Sequence, residues 1–277
     1  MPNTENSRDM RFRAIETLLL WEGEVDNSRL RSLLGVQNVQ ASRILAEYAV
    51  HNAHQIYRPS PRAPYQASAT IKPSFSSGTI EEYLALVQKT EDLDQIIEDA
   101  RIDLTSPMPS IFSAVLQACR RSCGLNIQYR SMTTPQGRNR LIYPHTIVRA
   151  GRRWHARAWC TERKDFRDFV IGRMQTASID TIKSERTKGE DAAWNKKLPL
   201  ILAAHPDLDA DRTSIINDEY FSGTTSRQLL VRSCLLLYVV QDLKAATNPA
   251  TECPPEFQLV VANAKDLQPY LLQQPAG

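Results

Sequence analysis

No stretch of this 277-residue chain stays apolar for long enough to cross a bilayer. The longest such run, Leu235 to Val240, is six residues, against the roughly twenty that a spanning helix needs. The first residues, Met1 to Asp9, are polar and carry no secretory pattern. A soluble, cytoplasmic protein with no membrane partner is expected. Cysteine is scarce and unpatterned: five residues, at 119, 123, 160, 234 and 253, form neither a disulfide framework nor a C-x-x-C metal site. Cys119 and Cys123 stand four apart on an expected helix and read as buried thiols. Catalytic signatures are missing too. There is no G-x-x-x-x-G-K-S/T loop to cradle phosphates, no H-E-x-x-H helix and no G-x-S-x-G elbow. The five histidines are dispersed, and Asp165 and Asp168 stand without the companion carboxylates that a metal-dependent nuclease requires. The expectation is a non-enzyme, with no catalytic residues, metal ligands or cofactor.

What is present is an uneven distribution of charge. Thirty-four Lys and Arg against thirty-one Asp and Glu leave a formal net charge of +3. Between Leu125 and Lys188 the count is fourteen against five, an excess of nine, so the remainder is net acidic. The same stretch has strand periodicity. Leu125, Ile127, Tyr129 and Ser131 alternate with Asn126, Gln128 and Arg130, the period of two of a half-buried strand. A turn at Thr134 to Gly137 leads to a strand at Leu141 to Tyr143, then Pro144-His145 and a strand at Thr146 to Arg149. Gly151 to Arg153 turns the chain into Trp154 to Cys160, and Thr161 to Asp165 turns it into Phe166 to Met174. Turns recurring every ~8–12 residues predict a small meandering sheet or barrel. Arginine forks on such strands match phosphate geometry, which favours an anion-binding surface.

The order of features is an I-x-Y strand, a Pro-His after the second strand, a Gly turn, Trp-x-x-x-Ala-aromatic-Cys, then Arg-x-Phe-x-x-x-Arg. It resembles the WYL domain of bacterial transcriptional regulators over about fifty residues, although Trp154 is followed by His155 and Ala156 rather than Tyr and Leu. The resemblance implies a ligand pocket formed by Tyr129, Ser131, His145, Arg167 and Arg173. Arg157 joins them from strand phase alone, opposite to Ala156 and Ala158. Hydroxyls, an imidazole and guanidiniums converging without acidic partners suit a nucleotide or oligonucleotide effector. Arg167 and Arg173 lie too far apart on one flat strand for a small ligand, so a bulge near Gly172 or an extended ligand is needed.

The amino-terminal segment has a different character. Phe12, Ile15, Leu18 and Leu19 recur at helical spacing within Arg8 to Trp21. Asn27 or Ser28 can cap a short helix carrying Leu30, Leu33 and Leu34, and Gly35 makes the turn. A third helix, Val36 to Val50, places Ala41, Ile44, Leu45 and Tyr48 on one face, while its other side and first turn carry Gln37, Asn38, Gln40, Ser42, Arg43 and Glu47. This is the pattern of a helix-turn-helix. Residues 55–58 and 65–67 can pair as a wing with Arg58 and Arg62 at its tip. Up to Tyr65 there are eight Lys and Arg against seven Asp and Glu, so avidity from a dimer has to supplement weak non-specific attraction.

A Ser- and Pro-containing linker, residues 68–78, precedes helical stretches around Ile80 to Val87 and Leu93 to Ala100, and a helix after Pro107 and Pro109 that runs to about Ser122. After Lys188 come a strand at Leu198 to Ala204, a helix to Tyr220 and a strand around Gln228 to Val231. An apolar helix from Arg232 to Leu243, a strand at Phe257 to Val261 and a helix from Leu267 to Leu272 complete it. The expected architecture is α+β and multidomain. It comprises a winged helix-turn-helix (1–70), a helical connector (71–122), a small Sm-like barrel-type WYL domain (123–190) and a C-terminal α+β domain (191–277). The chain is similar throughout to the compact CapW and BrxR type of regulator found beside anti-phage systems, which ends in a WCX-like dimerisation domain. That resemblance implies a homodimeric autorepressor on a palindromic double-stranded DNA operator, released when the WYL domain binds its effector. The alternative is a non-transcriptional nucleic-acid sensor.

Overall fold

The computed structural model describes residues 4–87, 97, 105, 107–184 and 186–271, and the chain divides into two compact units, residues 1–101 and 102–277. The stretch that the sequence sets apart as a connector is shared between them.

In the first unit, α1 (Thr4–Glu22) buries Phe12, Ile15, Leu18 and Leu19, the stripe that the periodicity predicts. The short strand β1 (Glu24–Val25) leads to Asp26, whose side chain accepts the Arg29 N–H at 2.7 Å and caps α2 (Asn27–Leu34). Asp26 thus takes the role expected of Asn27 or Ser28, and Asn27 does another job: its Nδ2 donates to the Asn38 carbonyl and to Ser42 Oγ, at 2.9 and 2.8 Å. Gly35 ends α2 in the left-handed conformation, φ 63°, where a side chain would be strained. Helix α3 (Asn38–His51) follows. Strands β2 (Ile56–Tyr57) and β3 (Tyr65–Ala67) pair antiparallel as the expected wing, and β1 joins the far side of β3 to complete a three-stranded sheet. The chain then returns over α1. Buried Glu16 accepts the N–H groups of Ser74, Phe75 and Ser76 at 2.6 to 2.9 Å. Helix α4 (Ile80–Val87) adds Tyr83 and Val87 to the same core. The helix expected over Leu93 to Ala100 lies outside the described residues, Ile97 apart.

In the second unit, α5 (Pro109–Arg121) packs Ile111, Val115 and Ala118 against a sheet of β4 (Cys123–Ser131), β5 (Thr134–Ala150), β6 (Arg153–Cys160), β7 (Asp165–Val170) and β8 (Met174–Lys183). Cys123 opens β4 rather than sharing a helix with Cys119. The two strands expected around Pro144-His145 are one long β5, with its register shifted between Pro144 and Thr146. The strand order is β7-β6-β5-β4-β8. No pairing joins the outer strands β7 and β8, so the expected barrel is not closed among the described residues. A 3-10 turn, Ile171–Arg173, separates them. This turn replaces the expected bulge and lifts Arg173 off the strand that carries Arg167.

The carboxyl-terminal part begins with α6 (Ala192–Asn195). It continues as β9 (Lys197–Ala204), α7 (Ala210–Phe221), β10 (Ser226–Arg232), α8 (Leu236–Asp242), β11 (Ala245–Ala246), β12 (Leu259–Val261) and α9 (Ala264–Leu271). Its sheet has the order β10-β9-β12-β11. The long apolar helix expected from Arg232 shrinks to α8 because a 3-10 turn, Ser233–Leu235, precedes it. Leu236 and Val240 of α8 enter the core. Leu272 lies outside the described residues. Among those residues no helix is long and apolar enough to cross a membrane.

Candidate nucleic-acid interface and sensor pocket

Helix α3 is held from behind. Ala41, Ile44, Leu45 and Tyr48 are buried, with the Tyr48 ring edge-on to Phe12 at 5.3 Å. At about 100° per residue, the stripe opposite that buried face is Val39, Arg43, Ala46 and Val50. All four are exposed, Val39 and Val50 at 82% and 78%. Ser42 adjoins the stripe, while Asn38 and Gln40 lie on its flanks, about 100° to either side of Val39. Gln37 precedes the helix as an exposed cap residue without a side-chain cap bond. The sequence pattern places Arg43 outward, where it is exposed, but gives no such sign for Val39, because a valine does not look like a surface residue. In the wing, Arg58 Nε donates to the Ala63 carbonyl at 2.6 Å and its guanidinium lies 4.8 Å from the Tyr65 ring centroid. Arg58 therefore braces the wing tip, beside exposed Arg62.

The six residues expected to form one ligand pocket separate into four environments. Arg157 is buried, 6% exposed, because β6 is covered on both faces from His155 to Ala158. Its Nε and Nη2 donate to the two oxygens of Asp191 at 2.7 and 3.0 Å, and Nη1 reaches Asp168 at 3.4 Å. Burial works against that charge, but the Asp191 hydrogen bonds and both carboxylate fields outweigh it, and the guanidinium pKa rises. Arg157 is thus a caged cation, contrary to the expectation of an arginine free of acidic partners. His145 joins the same cage, Nε2 to Asp191 Oδ2 at 3.1 Å. Burial alone would raise the Asp191 pKa; hydrogen bonds from His145 and Arg157 reverse this and hold it below the usual carboxylate range. Asp168, which looked solitary in the sequence, has its pKa raised by burial, with Arg157 offsetting part of the effect. The Tyr238 hydroxyl of α8 donates to Asp168 at 3.4 Å. Tyr129 is core: its hydroxyl accepts the Val170 N–H at 3.1 Å and its ring meets Phe169.

The other members line two separate hollows. A cleft of about 720 Å³ takes in Arg157, Arg167, Arg186, Trp159 and Phe166 together with Asp165, Asp168, Glu190 and Asp191, and is bordered by Tyr238 and Tyr270. Its acids outnumber its arginines. The second hollow, of about 390 Å³, is lined by Arg130, Ser131, Met132, Pro135, Gly172, Arg173, Met174 and Gln175, with no carboxylate. There Arg130 Nε donates to the Pro135 carbonyl at 2.6 Å, and Arg173 Nη1 is enclosed without a hydrogen-bond partner. Two arginines beside a hydroxyl, with no carboxylate among the lining residues, can receive an anionic oxygen. Asp191 carried one readable sign, as an acid ahead of Ala-Ala-Trp that caps α6 by accepting the Trp194 N–H. Its pairing with Arg157, 34 residues away, left none.

Three family models match in succession. They describe the BrxR transcriptional regulator winged helix-turn-helix domain (residues 7–89), the WYL domain (110–179) and the BrxR transcriptional regulator C-terminal dimerization domain (197–267). A protein of Escherichia coli (strain KTE188) described as "DNA-binding transcriptional repressor CapW" is 28% identical over 96% of this chain and 92% of its own. A Pseudomonas aeruginosa protein of the same description is 27% identical over 94% of this chain and 91% of its own. Among solved structures, proteasome accessory factor B/C of Arthrobacter aurescens aligns with TM-score 0.30 and 16% identity over 96% of this chain, which spans 46% of that structure's length.

Proposed function

The chain belongs to the WYL-domain transcriptional regulators of the BrxR and CapW type, and from that membership we propose that it is a homodimeric DNA-binding repressor. Its target is a palindromic operator at a phage-defence operon that includes its own gene. The observation that carries the reading is α3: one face is fully packed, and the opposite stripe, Val39, Arg43, Ala46 and Val50, stands bare. Such a helix fits the major groove, where arginine takes the O6 and N7 of guanine and aliphatic carbon meets the thymine methyl. Asn38, Gln40 and Gln37 reach the groove walls from the flanks. Ser42, Arg58 and Arg62 are assigned to positioning on the phosphates.

The effector is a nucleotide or short oligonucleotide, and the smaller hollow is assigned to its phosphate. Ser131, Arg130 and Arg173 meet there without an opposing carboxylate. Binding there releases the operator, provided that the effector prefers the DNA-free arrangement of the dimer; its differential affinity sets how far the population moves. In this reading residues 1–70 touch DNA, 71–122 connect, 123–190 sense and 191–277 dimerise.

Footprinting of the promoter upstream of the protein's own gene tests the reading. Protection of two half-sites related by a two-fold axis is expected, one or more helical turns apart. Uniform, sequence-independent protection would instead favour the non-transcriptional sensor.

A further inference from the structure

Ser74 to Thr79 reads S-F-S-S-G-T, with Phe75 as its one apolar residue. Such a composition gives a solvated loop, yet here the segment is strapped to α1 by two carboxylates. Glu16, fully buried on α1, takes the N–H groups of Ser74, Phe75 and Ser76 on one oxygen, at 2.9, 2.6 and 2.7 Å. Glu82, in the first turn of α4, takes the Ser76 and Ser77 hydroxyls and the Ser77 N–H, at 2.6 to 2.7 Å. Thr17 Oγ1 donates to Ser76 Oγ at 3.2 Å, and Arg13 Nε donates to the Phe75 carbonyl at 3.0 Å. So fastened, the strap lays Phe75 on the core. Its ring stands edge-on to Phe12 at 5.3 Å, and Phe12 stands edge-on to Tyr48 of α3 at the same distance. Glu16 also acts on Tyr48 directly: burial first, and the Glu16 charge next, push the Tyr48 hydroxyl pKa up. Tyr48 lies on the packed face of α3, behind Val39, Arg43, Ala46 and Val50.

We propose that Glu16 is a positioning residue for DNA reading: through the strap and Phe75 it fixes the seat of Tyr48, and with it the angle at which α3 presents its stripe. The inference rests on the DNA-reading function above and deepens it, because Glu16 is sealed from solvent and acts only through its neighbours. Base readout needs hydrogen-bond geometry at the base edges, whereas phosphate attraction tolerates a small rotation of the helix. Loosening the strap therefore costs sequence preference before it costs charge-driven binding. A variant that is only less stable behaves differently. It lowers the folded fraction and weakens both kinds of binding alike.

Affinities of the full-length chain for the footprinted operator and for random DNA of equal length, at one salt concentration and well below the thermal midpoint, test this. Glu16→Leu leaves the three N–H groups without their acceptor. It should bind the operator about ten-fold more weakly, within the usual range of coupling between sites, and random DNA as wild type does. Glu16→Gln keeps an oxygen for those groups and should restore the wild-type preference. Should Glu16→Leu fold poorly, Phe75→Ala carries the test, since it removes only the ring contact of a half-buried loop residue. It should lower the operator preference in the same direction. An unchanged preference in Glu16→Leu and Phe75→Ala, whether binding is intact or weakened on both DNAs alike, would overturn the role of Glu16. A wild type with no preference for the operator would overturn the DNA-reading function itself.

Discussion

Arg43 and Arg157 are both arginines that sequence periodicity places away from an apolar face, yet they meet opposite fates. Arg43 stands in solvent on α3, flanked by exposed Val39 and Ala46. Arg157 is sealed beneath the carboxyl-terminal part of the second unit and locked to Asp191 and Asp168. Period and phase say which side of an element a residue occupies. They do not say whether another part of the chain will cover that side. An exposed cation is free to meet an outside ligand, whereas a caged one holds domains together. In the proposed reading the first arginine serves recognition; the second, locked to Asp191 and Asp168, serves architecture.

The largest effect should come from opening the cage. Asp191→Ala removes both Arg157 hydrogen bonds, the His145 partner and the α6 cap. Leaving the buried guanidinium with only Asp168, at 3.4 Å, costs about 3 kcal/mol, the low end for breaking a buried pair, to be read by urea unfolding at pH 7. Stability close to wild type would mean that the Arg157 network is incidental and would erase the contrast with Arg43.

A second test uses pH. His155 is buried against the Tyr238 ring, and burial, with Arg153 and Arg173 nearby, lowers its pKa to about 4. A folded value below the unfolded value of about 6.5 means that the contribution is complete above pH 6.5 and is lost as pH falls toward 4. The loss is about 3 kcal/mol by pH 4. His155→Phe should flatten the stability profile between those limits. If wild type and variant decline in parallel there, the neutral buried imidazole is not the cause.

The third separates sensing from DNA binding. Arg173→Ala should hold the operator as wild type does, yet fail to release it when oligonucleotide extracted from phage-challenged cells is added. Arg167→Ala, in the other cleft, should still release. If both variants respond normally, the smaller hollow is not the effector seat.

The smallest effect concerns Val39. Replacing the contacted thymine by deoxyuridine removes one methyl, worth about 0.8 kcal/mol or four-fold in affinity. Wild type should lose that much, and Val39→Ala, already lacking the contact, should not respond. An equal response in both proteins would take Val39 out of base reading.

Much of the first unit was legible because its information is local. Phe12 to Leu19, Leu30 and Ala41 to Tyr48 declare their faces by spacing, Gly35 marks the turn, and the wing strands pair within a dozen residues. The strands of the second unit were legible too, since Leu125 to Ser131 alternates cleanly. The candidate site was not. Arg167 and Arg173 appeared to share a phase until the turn at Ile171–Arg173 broke it. Tyr129 appeared to face a ligand until the sheet turned its hydroxyl toward Val170. The partners of Arg157 lie 11 and 34 residues away, beyond the reach of any local pattern.

The central claim is that the bare stripe of α3 reads bases. Binding of wild type and Arg43→Ala to the footprinted operator and to random DNA of equal length, at one salt concentration, measures it most directly. Arg43→Ala should lose about 1–3 kcal/mol on the operator and almost nothing on random DNA. An equal loss on both would make Arg43 a phosphate contact and contradict the claim.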